Sequence, residues 1–162
     1  MTTVTHFPSP VGELILTASD TALTGVFFPT SRHKREVPVG DGPHNEILAR
    51  TRDQLSEYFA GTRTSFDLPL DPRGTPFELR VWEELRAIPY GATRSYSDIA
   101  RRLGDPQSTR AVGAANGKNP IPIIVPCHRV IGAHGELTGF GGGIDRKRWL
   151  LEHEGALLPL KG

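Results

Sequence analysis

The segment Thr75-Pro76-Phe77-Glu78 constrains the fold more than any other feature of the chain. It combines an N-cap threonine, a proline at the first helical position and an acid placed to close a capping box, so a helix should begin there. Directly before it lies Asp71-Pro72-Arg73-Gly74, a joint rich in turn residues. A joint followed at once by a strong helix start divides the chain near position 74 into two lobes, 1–74 and 75–162. At 162 residues, 37% of them hydrophobic, the chain can fill one compact domain or two small packed lobes.

Several classes drop out. The chain holds 18 Gly and 14 Pro, but nothing repeats with a collagen or solenoid period. No apolar run approaches the roughly 18 residues that span a bilayer, and the first ten residues lack the basic flank and apolar block of a secretory signal. A cytosolic protein is expected. A single cysteine, Cys127, cannot form an internal disulfide, and zinc would need ligands from six scattered histidines and the acids. No metal and no cofactor are expected.

In the first lobe, Leu14 to Ala18 and Gly25 to Phe28 read as short strands around the polar turn at Ser19 to Thr21. Ile47, Leu48, Leu55, Tyr58 and Phe59 recur at helical spacing over Glu46 to Phe59, with Gly61 as the stop. Phe66, Leu68 and Leu70 alternate like a half-buried strand, and His33 and His44 read as surface-loop residues. In the second lobe, Phe77, Val81, Leu85 and Ile88 share one helix face before Pro89 and Gly91. Ser95-Tyr96-Ser97-Asp98 opens a short helix ending at Gly104, and Asp105-Pro106 starts another at once. Two short helices in this order form a helix-turn-helix candidate, or equally an ordinary packed pair. Residues 1–80 hold 8 basic and 10 acidic residues against 11 and 8 in 81–162, and between Arg101 and Arg148 the balance is 8 to 3. A basic second half suits an anionic partner.

Chemistry concentrates after Asn119. Pro126 fixes the backbone before Cys127, and His128 and Arg129 follow it, an electropositive setting expected to lower the thiol pKa. Adjacent residues on a strand point to opposite faces, so a bend or a bridging water must connect Cys127 to His128. A carboxylate should orient the histidine, and Glu154 is a candidate. Gly139-Phe140-Gly141-Gly142-Gly143 leads into Ile144-Asp145-Arg146-Lys147-Arg148. These glycines could cradle a phosphate or let the backbone approach a flat ligand, and three basic residues early in a helix hint at an external anion. The P-loop Lys-Ser/Thr pair and the dinucleotide fingerprint are absent.

Pro126-Cys127-His128-Arg129-Val130, with Asn119-Pro120-Ile121-Pro122-Ile123, Arg110-Ala111-Val112-Gly113 and the trailing glycine loop, resembles the O6-alkylguanine-DNA alkyltransferase family over Thr75 to Gly155. The resemblance implies an α/β N-terminal lobe, RNase H-like, and a mostly α C-terminal lobe with a helix-turn-helix that enters the minor groove. It implies that Cys127 takes the alkyl group from the guanine oxygen, that His128 generates the thiolate through a water with Glu154 behind it, and that Tyr96 protonates the departing base. Asn119 would tie the active-site segment to the helix-turn-helix. Arg110 would fill the gap left by the extruded nucleotide, with Ser95, Ala111, Ala114 and Ala115 on the DNA-facing surface. Backbone groups at Cys127 and Val130 would read the exocyclic amine, Gly141 would offer an amide to the oxygen, and Phe140 would pack on the substrate. The implied partner is double-stranded DNA bearing O6-alkylguanine, bound by a monomer that can also assemble cooperatively along the duplex.

The chain departs from the family in two ways: Phe140 stands where animal members carry tyrosine, and the zinc-binding cysteines of some N-terminal lobes have no counterpart. Two rival readings are a lesion-binding relative without transfer, which would lack the thiol, and a cysteine hydrolase, which would turn over.

Overall fold

The computed structural model describes residues 2–30 and 42–157, and its contacts divide the chain into two units, Met1–Arg73 and Gly74–Gly162. In the first, strands β1 (Thr3–Ser9), β2 (Gly12–Ala18) and β3 (Leu23–Phe27) form an antiparallel sheet in that order. Ser9 pairs with Gly12 and Thr3 with Ala18, so β1 and β2 make a hairpin around Pro10-Val11. Ser9 Oγ donates to the Gly12 carbonyl at 2.6 Å and accepts the Val11 N–H at 3.2 Å. The expected segment Leu14 to Ala18 lies in β2, and Gly25 to Phe28 overlaps β3, which starts earlier at Leu23 and ends at Phe27, while β1 escaped the sequence reading. Its Thr3, Val4 and Thr5 are all buried, so the alternation that marks a half-exposed strand is absent.

Helix α1 (Glu46–Phe59) covers the expected range and lies against all three strands. Asn45 caps it by accepting the Leu48 N–H at 3.0 Å, while its amide donates to the Ser19 carbonyl at 3.0 Å. Ile47, Leu48, Leu55 and Tyr58 are buried, each contributing about 1.5–3 kcal/mol on leaving water. Gln54 imitates a strand neighbour: its side chain donates to the Asp67 carbonyl at 3.0 Å and accepts the Asp67 N–H at 2.9 Å. The expected strand over Phe66 to Leu70 shrinks to one parallel bridge between Leu70 and Leu23. Pro69 has no N–H to extend a ladder, and only its carbonyl is used, by Leu23 at 2.8 Å. His44 is exposed and pairs with Glu46 at 2.8 Å, and His33 lies outside the described residues.

The second unit contains α2 (Pro76–Arg86), α3 (Tyr96–Arg102), α4 (Thr109–Gly117), α5 (Ile144–His153) and a two-residue parallel pair, β4 (Arg94–Ser95) with β5 (Val130–Ile131). Both capping boxes are formed: Thr75 with Glu78 at α2, Ser95 with Asp98 at α3. Asp105-Pro106 starts no α-helix; a 3-10 turn over Pro106–Ser108 comes first and α4 begins at Thr109. Val81, Trp82 and Leu85 of α2 are buried, and Trp82 Nε1 donates to the Ala115 carbonyl at 2.8 Å, which fastens α2 to α4. Among the described residues no helix is long and apolar enough to cross a membrane.

Candidate active site

Proline and one asparagine side chain shape the segment that carries the cysteine. Asn119 Oδ1 accepts the Ile121 N–H at 3.0 Å and its Nδ2 donates to the Val125 carbonyl at 2.7 Å, closing the loop between them. Within that loop Ile123 takes φ of 74°, a left-handed conformation rare for a β-branched residue and costing about 1–3 kcal/mol. Burial of every residue from Ile121 to Val130 offsets that cost. Pro126, at φ −81° and ψ 66°, centres an inverse γ-turn in which the Cys127 N–H donates to the Val125 carbonyl at 2.8 Å. A 3-10 turn over Cys127–Arg129 follows. Two tight turns in succession supply the bend that an extended strand would have denied Cys127 and His128.

Behind the cysteine lies a buried ionic chain. His128 Nε2 and Glu154 Oε2 are 2.8 Å apart, and Arg129 grips the same carboxylate with Nε on Oε1 at 2.8 Å and an Nη on Oε2 at 3.0 Å. Arg129 also donates to the Ile88 carbonyl at 2.8 Å and lies over the Tyr90 ring. Burial alone would raise the Glu154 pKa, but the hydrogen bonds and charges of His128 and Arg129 overcome it and hold the carboxyl at about 2. Burial lowers the His128 pKa against the pull of Glu154, so the ring is neutral. An ionised carboxylate only accepts, which places the imidazole proton on Nε2 and leaves a lone pair on Nδ1. Nδ1 is buried and has no hydrogen-bond partner among the described residues, so it is placed to act as a base.

Cys127 is buried, and burial pushes its thiol up to about 11. This corrects the expectation of a lowered pKa: desolvation of the thiolate outweighs the cationic neighbours. The Asn119 side chain, the Lys147 charge and the N–H groups of Cys127 and His128 pull the other way. The sulfur therefore rests as a thiol, surrounded by groups that stabilise a thiolate once a base removes the proton.

Lys147 is wholly buried and donates to the Val130 carbonyl at 2.6 Å and the Thr138 carbonyl at 2.8 Å. Burial lowers its pKa to about 8. Tyr96 places its hydroxyl on the same Thr138 carbonyl at 3.0 Å, and its ring lies 5.8 Å from Lys147 Nζ. Gly139 turns the chain here at φ 64°, and a Cβ on it would stand 3.2 Å from the Tyr96 hydroxyl, so glycine keeps this approach open. Two of the three basic residues at the start of α5 are engaged internally: Lys147 on the Val130 and Thr138 carbonyls, and Arg146 on the Gly142 carbonyl at 2.9 Å.

On α4, Val112, Ala115 and Asn116 face inward, while Arg110, Ala111 and Ala114 are exposed. Similarity to known proteins covers both units. The family model for the 6-O-methylguanine DNA methyltransferase DNA binding domain matches residues 76–156, and that for its ribonuclease-like domain matches residues 3–72. The methylated-DNA–protein-cysteine methyltransferase of Methanosarcina acetivorans is 48% identical over 150 residues, covering 93% of this chain and 96% of that protein. The chain belongs to the 6-O-methylguanine DNA methyltransferase family. The methylated-DNA–protein-cysteine methyltransferase of Mycobacterium tuberculosis is 50% identical over 157 residues, covering 93% of this chain and 91% of that protein. The crystal structure of Mycobacterium tuberculosis OGT in complex with DNA superposes with a TM-score of 0.86 at 50% identity, covering 94% of this chain and 92% of that one.

Within this methyltransferase fold, a ribonuclease-like lobe followed by a helical DNA-binding lobe, the expected residues are distributed unevenly. Cys127, His128, Glu154 and Asn119 form one connected cluster, and Lys147 links Val130 to Thr138 beside Tyr96. Phe140 is half-buried and Gly141 exposed in the glycine loop, and Ser95 spends its hydroxyl on capping α3. Ala115 is corrected: it is 3% exposed and its carbonyl holds Trp82, so it cannot lie on an outer surface. Arg129 and Lys147 were missed as members of the cluster. Helical spacing places Lys147 on the face of Leu150 and Leu151, the signal that could have turned it inward. Among the described residues no group of three or more His, Cys, Asp or Glu could hold a metal ion.

Proposed function

We propose that this protein repairs O6-alkylguanine in double-stranded DNA by moving the alkyl carbon irreversibly onto Cys127. The observation that carries this reading is a buried thiol among thiolate-stabilising donors, beside a neutral histidine whose proton faces an ionised carboxylate. The solved DNA complex of the Mycobacterium tuberculosis relative supports DNA as the partner.

In this reading α4 enters the minor groove as part of a monomer, with Ala111 and Ala114 small enough for close approach and Ser95 near the backbone. The target oxygen lies inside a stacked base pair, so the nucleotide must rotate out, at a cost of a few kcal/mol, and Arg110 fills the gap. The extruded base meets Phe140 and the backbone of Cys127, Val130 and Gly141. His128 Nδ1 removes the thiol proton through one water, and the Glu154 carboxylate stabilises the imidazolium. The S–C bond forms as the C–O bond breaks. Tyr96 donates its hydroxyl proton to the ring nitrogen of guanine, which leaves neutral. Burial raises the Tyr96 pKa, and a neighbouring thiolate raises it further. Both act against the hydrogen bond to Thr138, which lowers it, so the resting hydroxyl keeps its proton and can offer it to the departing base.

The product is a thioether, which no group in the cluster can hydrolyse, so each molecule reacts once. Mixing protein with a several-fold excess of lesion duplex tests this: guanine restored should level off at one equivalent per molecule. Continued turnover would favour a hydrolase. Absence of any restored guanine, with binding retained, would leave a lesion-binding protein.

A further inference from the structure

Resting on that reading, we infer that Asn116 is a positioning residue through which seating of α4 on duplex DNA sets the nucleophile. Asn116 is on the inner face of α4, only 2% exposed, five residues along the same helix from the outward-facing Ala111. Its Nδ2 donates to the Cys127 carbonyl at 3.3 Å, within a buried environment. No other side chain of α4 has a hydrogen bond to the cysteine segment among the described residues.

The bond is under-committed in two respects. Its length stands at the weak end of the range for an amide donor. The other end of the same amide, Oδ1, is buried with no partner among the described residues, an unfavourable arrangement that a leucine of similar size would avoid. Asn119 differs: both ends of its amide are engaged at 2.7 Å and 3.0 Å, so it holds the loop whether or not α4 is loaded.

The Cys127 carbonyl also accepts the Val130 N–H that closes the 3-10 turn. The orientation of this peptide therefore decides where the cysteine's Cα–Cβ bond points. Movement of α4 by a few tenths of an ångström toward the turn converts the Asn116 contact from marginal to full strength, as catalytic hydrogen bonds commonly tighten in the loaded complex. Trp82 holds the neighbouring Ala115 carbonyl at 2.8 Å and gives α4 a fixed point about which to shift. Asn116 is thus the direct link between the DNA-facing helix and the reacting residue.

The test compares two substrates, O6-benzylguanine as the free base and the same lesion in a duplex, for the wild type, Asn116→Leu, Asn116→Met and Asn116→Gln. Loading of α4 occurs only with the duplex. The ratio of duplex to free-base alkylation rates should fall about five-fold in the Leu and Met variants, the worth of one neutral hydrogen bond, and recover in the Gln variant, which restores a donor. Using two apolar side chains of different shape guards against one of them folding poorly. A merely structural role lowers both rates together and leaves the ratio unchanged, which would overturn the inference, as would a ratio that falls equally in the Gln variant. A wild type that accepts the alkyl group from neither substrate overturns the assignment of Cys127 instead.

Discussion

Replacing Glu154 by glutamine should cost this protein both stability and reactivity, and the structure sets the scale. The carboxylate is fully buried, receives two hydrogen bonds from Arg129 and pairs with His128. A carboxyl lowered from 4.5 to about 2 has its ionised form favoured by about 3 kcal/mol. Breaking one side of a buried ion pair independently suggests a loss of about 3–5 kcal/mol, since Arg129 keeps its charge. We therefore expect Glu154→Gln to lose about 3 kcal/mol at neutral pH, lowering Tm by about 6–12 °C for a chain of this size. The pH dependence follows from the direction of the shift. A depressed carboxyl stabilises the fold fully above its unfolded pKa, near 4.5, and the contribution disappears as pH falls through about 2. Urea titrations of both proteins at neutral pH and near pH 2 should show the gap close on acidification. Loss of the anion behind His128 should also slow alkyl transfer by about 100-fold or more. A difference under about 1 kcal/mol at neutral pH, the range of an exposed ion pair, would refute the reasoning. So would a gap that persists unchanged in acid.

Two further outcomes test the resting state of the cluster. Without DNA, iodoacetamide should modify Cys127 slowly at neutral pH and about ten-fold faster for each added pH unit, because burial holds the thiol at about 11; a rate already level below about pH 8 would show a preformed thiolate. Asn119→Ala removes bonds at 2.7 Å and 3.0 Å that close the loop around Ile123; it should cost about 2–3 kcal/mol in denaturant titration, and an unchanged midpoint would mean that packing alone holds the strained segment.

Local signals were the most legible part of this chain. The capping boxes at Thr75 and Ser95 are self-contained, each a pairing of residues three apart, and the apolar spacing of α1 reports its burial directly. Elements whose form depends on distant neighbours were harder to read. β1 is buried on both faces only at its start, Thr3 to Thr5, where alternation is lost, and the strand expected at Phe66 to Leu70 is cut short because Pro69 lacks a donor. At the site, the residues themselves could be named from the Pro-Cys-His-Arg run, but their electrostatics could not. Sequence neighbours of Cys127 are cationic, yet the thiol pKa follows desolvation, a property of the whole packed lobe. Arg129 is one residue from His128 in sequence and appears only as a neighbouring charge; in space it is the clamp on Glu154. Lys147, lodged among three successive basic residues, reads as solvent-facing until the face it shares with Leu150 and Leu151 is considered.

The decisive measurement is the mass of the protein after reaction with a duplex carrying O6-methylguanine with an isotope-labelled methyl carbon. One labelled methyl per molecule, located on the Cys127 peptide and absent from Cys127→Ala protein that still binds the duplex, is the expected result. Unmodified wild-type protein, or label on any other residue, would contradict the account.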